Sequence, residues 1–178
     1  MKTHAFKTVA ALVLLMLAAS FQTARAETIY FMKIKDIEGE SVIEPGAIDV
    51  LAWSWGMSNS GSARAGGGGA GKVNVQDLSV TKFVDKASPH LLRACVSGQR
   101  IANVELRGVR QGEGKATPYI IYKMKNVLVS SVNSGGSSGE TSGSENVSFG
   151  FTEIEYTVFD STGGSTTFKW DLATNKPL

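Results

Sequence analysis

The sequence predicts a mainly β protein: a small antiparallel β-barrel of two curved sheets with one short α-helix. Three observations carry that expectation. Apolar residues alternate with polar ones over most of the chain, the period of a half-buried strand. Several of these runs change face midway, as strands do at the corners of barrels and orthogonally packed sheets. One stretch, Ser88–Gly98, carries helix start and stop signals.

The chain opens on a segment that is not part of the fold. Lys2 and Lys7 form a basic start, Val9–Ala19 is a short apolar core, and Ala24-Arg25-Ala26 offers the small-x-small pattern of a cleavage site. A bilayer span needs roughly 20 apolar residues, so this core is too short to cross one. Residues 1–26 therefore read as a cleaved secretory signal, with 27–178 as a single domain beginning at Glu27. Initiation at Met16 would break that signal.

Removing residues 1–26 leaves 152 of 178 residues, enough for one domain to bury about 70 % of its unfolded surface. Lys2, Lys7 and Arg25 go with the leader, so 15 basic residues remain against 16 acidic ones, a net charge of −1. That balance offers no basic surplus for nucleic acid and no polybasic patch for a membrane surface. Cys95 is the one cysteine and cannot form an internal disulfide. It reads either as a buried thiol or as an intermolecular pair, and its place on the apolar side of the helix favours burial.

Glu27–Lys35 reads as a strand and Asp36–Pro45 as a polar loop. Ile48–Met57 follows, with Ile48, Val50 and Ala52 on one face and Leu51, Trp53, Trp55 and Met57 on the other. About fifteen residues of Gly, Ser, Asn and Ala come next, before the strand pattern resumes at Val73. In Lys72–Val84 the apolar positions move from Val73 and Val75 to Leu78 and Val80, the shift of one residue that a β-bulge at Gln76–Asp77 imposes. In the helix, Ser88 reads as N-cap, Pro89 as N1 and Gly98 as the residue past the end. Leu91, Leu92 and Cys95 are its expected apolar stripe. Ile101–Arg110, Tyr119–Val132, Glu145–Phe159 and Thr166–Leu172 complete the strands. Faces switch between Met124 and Val127 and between Phe151 and Ile154. Asn133–Ser144 reads as a mobile Gly/Ser-rich hairpin link.

Catalytic patterns fail on inspection. Gly66-Gly67-Gly68-Gly69-Ala70-Gly71-Lys72 has P-loop spacing, but Val73 stands where a Ser or Thr must hold Mg²⁺, and a strand follows where a helix N-terminus is needed. His90 is the one histidine after the leader. It lies about 140° round the helix from Cys95, so the two form no thiolate–imidazole pair. One His and one Cys also exclude the usual zinc sites, and no cofactor is expected. Glu153 and Glu155 share a strand face, where a hydrolytic pair is conceivable but a hydrated outer face is the simpler reading. Trp53 and Trp55 on one strand face could stack on sugar; the alternative is core. The Gly-rich excursion remains either an idle loop or an arm that orders against a partner.

IDVLAWSWGMSNSGS, then GGGGAGKVNVQDLSVTKFVDKASPHLLRACVSG, then VLVSSVNSGGSSGE and ENVSFGF, resemble the Hcp (haemolysin-coregulated protein) family of the type VI secretion system. The resemblance runs from about Phe31 to about Tyr156. It implies a small two-sheet β-barrel with one helix, acting as a non-enzymatic subunit of hexameric rings that stack into a hollow tube. It also implies a spike protein, a sheath and small effectors in the lumen as partners, and a secreted location, here by way of the periplasm given the signal. The family's ring-stacking loop falls on Gly56–Lys72, and with it Gly56, Ser58, Ser62, Arg64, Gly66, Gly67, Gly68, Gly69, Gly71 and Lys72. Gly and Ser there let a backbone lie close to another subunit, and few charges need be desolvated. The tail from Phe159 matches only loosely. Family members are loaded from the cytoplasm without a cleaved signal, and in that this chain departs from them. The alternative function is a secreted or periplasmic β-domain of this type that binds carbohydrate or a host surface through Trp53 and Trp55.

Overall fold

The computed structural model describes residues 27–59, 73–112 and 116–178. The leader expected at 1–26 lies outside them, and so does most of the Gly-rich excursion. Among these described residues eleven strands and one helix follow in the order β1 Glu27–Ile34, β2 Ile48–Val50, β3 Ala52–Ser54, β4 Met57–Asn59, β5 Val73–Val75, β6 Leu78–Phe83, α1 Ser88–Ser97, β7 Arg100–Gln111, β8 Thr117–Gly135, β9 Ser144–Gly150, β10 Glu153–Phe159 and β11 Ser165–Asp171. All strand pairings are antiparallel.

The class is as expected, but the closed two-sheet barrel is not. A single nine-stranded sheet runs β2-β1-β7-β8-β9-β6-β3, with β10 and β11 branching from β8, and β4–β5 form a separate ribbon. The two ends of the path, β2 and β3, are neighbours in sequence, joined at Leu51, whose N–H donates to Thr81 O at 2.8 Å. What reads as one strand over Ile48–Met57 thus serves three partners in turn. The sheet curls back on itself through this covalent link rather than through a closed ladder.

The corners fall where the apolar pattern changes face. β8 pairs with β10 up to Lys125 and with β9 from Leu128 onward. Asn126 sits between them at φ 52°, a left-handed conformation that Asn tolerates better than most residues. Its side-chain amide donates to Thr152 Oγ1 at 3.3 Å, and Thr152 N donates to Lys125 O at 3.2 Å. Two turning points are thereby fastened to each other. At the expected bulge, Gln76 and Asp77 separate β5 from β6.

Inside the curl, Met32, Ile48, Leu78, Leu91, Leu106, Met124 and Phe149 are almost wholly buried. Each contributes about 1.5–3 kcal/mol on leaving water, which holds a helix of only ten residues that would be marginal alone. The helix differs from its sequence reading in two ways. Its buried face is Ser88, Leu91 and Ala94, whereas Leu92 is exposed and Cys95 half-buried. Ala87, not Ser88, is the N-cap. The first turn is shaped instead by Asp85, whose Oδ1 accepts from Ala87 N at 3.0 Å. Gly98 ends the helix as expected, at φ 65°.

Candidate assembly surface

Of the residues expected in the stacking loop, the structure describes the foot. Gly56 O accepts a hydrogen bond from Gln76 N at 3.0 Å, and above that clasp the chain forms the ribbon. Met57 pairs with Val75, Ser58 with Asn74 and Asn59 with Val73. Ser62, Arg64, Gly66, Gly67, Gly68, Gly69, Gly71 and Lys72 lie outside the described residues. A ribbon of two three-residue strands is marginal in water on its own. Its β4 strand, Met57, Ser58 and Asn59, is exposed, while Val73 and Val75 on β5 are half-buried.

Trp53 and Trp55 do not form a platform. Both are part-buried against the core. Trp53 meets Tyr122 edge-on, 5.2 Å between ring centroids at 62°, and Trp55 meets it at 5.8 Å and 69°. Tyr122 is in turn stacked on Tyr156 at 4.4 Å. Burial, with the hydrogen bond to Tyr156 adding to it, pushes the Tyr122 phenol far above its ordinary range. Trp53 and Trp55 are thus locked edge-on against Tyr122 within an aromatic cluster, a geometry suited to core cohesion more than to sugar stacking.

On the face that carries Glu153 and Glu155, these carboxylates are paired with lysines. Lys33, Glu105, Lys123, Glu155 and Lys169 stand in register across β1, β7, β8, β10 and β11, alternating in sign. Lysines 123 and 169 contact Glu155 at 3.2 and 2.8 Å, and their hydrogen bonds, that of Lys169 first, hold its carboxyl below the ordinary range. Lys125 bonds Glu153 at 2.8 Å. This is the hydrated outer face that the sequence suggested, and neither glutamate is free to act as an acid–base pair. His90 is exposed on the helix. Among the described residues no group of three or more His, Cys, Asp or Glu is placed to hold a metal ion.

One buried polar cluster escapes sequence reading. Lys82 and Glu145 face each other inside the sheet, on β6 and β9, with both side chains 2 % exposed. Lys82 Nζ also contacts Asp85 Oδ1 at 2.8 Å and Ser88 Oγ at 3.0 Å. A lysine beside a serine resembles a hydrolytic dyad. Here, however, Ser88 Oγ donates to Glu145 at 2.7 Å and is itself buried, while Lys82 is bound by two carboxylates. The cluster is closed off from solvent. The only hint in the sequence is that Lys82 continues the inward series Leu78, Val80.

The described part of the chain is thus an antiparallel β-sheet domain with a separate two-stranded ribbon beside its main sheet. Comparison with known proteins places it further. Residues 31–158 match the family model described as "Type VI secretion system effector, Hcp", and the chain belongs to the Hcp family. It is 46 % identical over 154 residues to the protein hcp1 of Pseudomonas aeruginosa, covering 82 % of this chain and 95 % of that one. Its fold is similar to the crystal structure of Hcp1 from Salmonella typhimurium, with TM-score 0.73 and 30 % identity over 86 % of this chain and all of that one. It is also similar to a type VI secretion system effector from Yersinia pestis, with TM-score 0.66 and 30 % identity over 80 % of this chain and 98 % of that one.

Proposed function

We propose that this protein is a tube subunit of a type VI secretion system. Copies close into hexameric rings, and the rings stack into a hollow tube that is itself exported and carries small effectors in its lumen. The spike protein and the sheath are its other partners. The observation that supports this reading most is family membership over residues 31–158, joined to the separate β4–β5 ribbon at the foot of the Gly56–Lys72 loop. In a ring of identical subunits, two different patches of each chain meet, while the loop from Gly56 to Lys72 crosses to the next ring. The protein works by assembly, without catalysis or cofactor. It contacts neither nucleic acid nor the membrane interior.

Residues 1–26 set this copy apart from its family: cleavage before Glu27, the first residue of β1, would deliver it to the periplasm, away from the cytoplasm from which family tubes are loaded, whereas initiation at Met16 would keep it inside. Shortening Ser62–Gly69 tests the loop's role. Rings of unchanged mass that no longer stack would support it, and rings that fall apart would contradict it.

A further inference from the structure

The bond between Ala26 and Glu27 adjoins the fold without a spacer. Glu27 is the first residue of β1 and already pairs with Gln111. From there the ladder runs unbroken to Ile34 opposite Val104. β1 is an interior strand, with β7 on one side and β2 on the other. Phe31 and Met32 are almost wholly buried. Tyr30 meets Trp53 edge-on at 6.0 Å and closes over Gly108, where a Cβ would stand 2.7 Å from its ring.

A peptidase holds the chain on both sides of the scissile bond as an extended strand, by the main-chain pairing that adds a strand to a sheet. In the folded domain Glu27, Thr28 and Ile29 are instead ladder partners of β7. Strand ends fray at little cost, but here fraying stops at the anchored Tyr30. Three extended residues reach about 10 Å. The bond therefore stays close to the folded surface, and a cleft that must close around both sides of it meets the domain.

The order of the strands along the chain opens an earlier window. Gln111 lies 84 residues after Glu27, so β1 has no β7 to join until that much more chain exists. At about 5–20 residues per second, synthesis takes about 4–17 s to supply it. The other neighbour, β2, pairs only Tyr30, Phe31 and Met32, and a two-stranded pair is marginal in water on its own. The junction is free throughout that interval.

We propose that hydrolysis of the Ala26–Glu27 bond precedes the docking of β1 on β7, and that the folded domain shields the bond afterwards. Water adds across the peptide, leaving a carboxylate on Ala26 and the α-amino group of Glu27. The order rests on residues 1–26 being a leader, and it adds the form of the chain on which the leader is removed. A chain cut within the window folds as a domain beginning at Glu27. A chain that completes the β1–β7 ladder first keeps residues 1–26.

The test uses the full-length precursor, made by cell-free synthesis, and a leader peptidase in detergent. In one arm the enzyme is present during synthesis; in the other it is added after the chain has folded. The first arm should give the domain beginning at Glu27, and the folded precursor should be cut more than about tenfold more slowly, because only its opened form is a substrate. A variant with a short Gly/Ser spacer inserted between Ala26 and Glu27 leaves the ladder intact and should be cut readily in both arms. Folded wild-type precursor cut as fast as the spacer variant would overturn the proposal, and so would a spacer variant that resists once folded. A wild-type precursor left uncut in both arms would discard the leader reading itself, and the order with it.

Discussion

Lys82 Nζ lies 2.9 Å from Glu145 Oε2 with both side chains 2 % exposed. Ser134, on β8, completes the row by donating to Glu145 Oε1 at 2.9 Å, and Ser88 brings the helix onto the same carboxylate. Three strands and the helix start are thereby tied to one charge pair. Removing Lys82 leaves Glu145 buried without a counter-charge, at a cost of about 3–5 kcal/mol, whereas Lys82 without Glu145 keeps Asp85 at 2.8 Å. Lys82→Met is expected to lose stability of that order in urea unfolding and Glu145→Gln less, whereas replacing both residues by apolar ones of similar volume should restore much of it.

The same carboxylate sets a pH dependence. Burial raises its pKa, but hydrogen bonds from Ser88, Lys82 and Ser134 outweigh burial and hold it below the ordinary value of 4.5. The folded protein thus binds a proton less readily than the unfolded chain. The stabilisation is complete above the ordinary carboxylate range and declines as pH falls through that range toward the lowered value. Thermal midpoints measured from neutral pH downward should fall in this acid window, and fall less in a variant lacking both Lys82 and Glu145.

At Gly39 the backbone of another segment comes too near for any side chain. A Cβ there would lie 2.3 Å from Ala47 O and 2.6 Å from Ile48 Cγ1, and Gly39 N donates to Gly46 O at 3.1 Å. Gly39→Ala should therefore displace the loop over β2 and cost about 1–3 kcal/mol. Calorimetry should show the loss, and an unchanged midpoint would contradict the geometry.

Asn126 holds the corner of β8 at φ 52°. Asn126→Val should cost about 1–2 kcal/mol for the left-handed backbone alone, and more for the lost bond to Thr152. Asn126→Gly should be milder. Chemical denaturation of the two variants side by side would decide, and equal midpoints would count against the corner's role.

Much of this fold was legible because the side-chain period of a strand is two and any phase change is visible. The switches at Gln76–Asp77, between Met124 and Val127 and between Phe151 and Ile154 all mark real turning points. Other features depend on partners distant in sequence, which no local pattern encodes. Lys82 and Glu145 are 63 residues apart, so their burial as a pair could not be read. Ser88 looked like a cap because caps favour serine, yet tertiary contacts claim its hydroxyl for the cluster. Leu92 lost its expected place because Ser88 and Ala94, small enough to lie close to the sheet, turn the helix toward it. The stretch Ile48–Met57 read as one strand because its alternation is unbroken, although its hydrogen bonds go to β1, β6 and β5 in succession. Of the loop Gly56–Lys72 expected to join rings, only Gly56–Asn59 lies among the described residues.

Export by the leader makes its own prediction. Protein recovered from culture supernatant should begin at Glu27 on N-terminal sequencing, whereas a product that begins at Met1 or Met16 would contradict cleavage of residues 1–26.

The most direct test of the tube reading is the mass of the purified protein in solution. Size-exclusion chromatography with light scattering, at tens of micromolar, should give six times the mass of one cleaved chain or an integer multiple of that ring. A clean monomer under those conditions would contradict it.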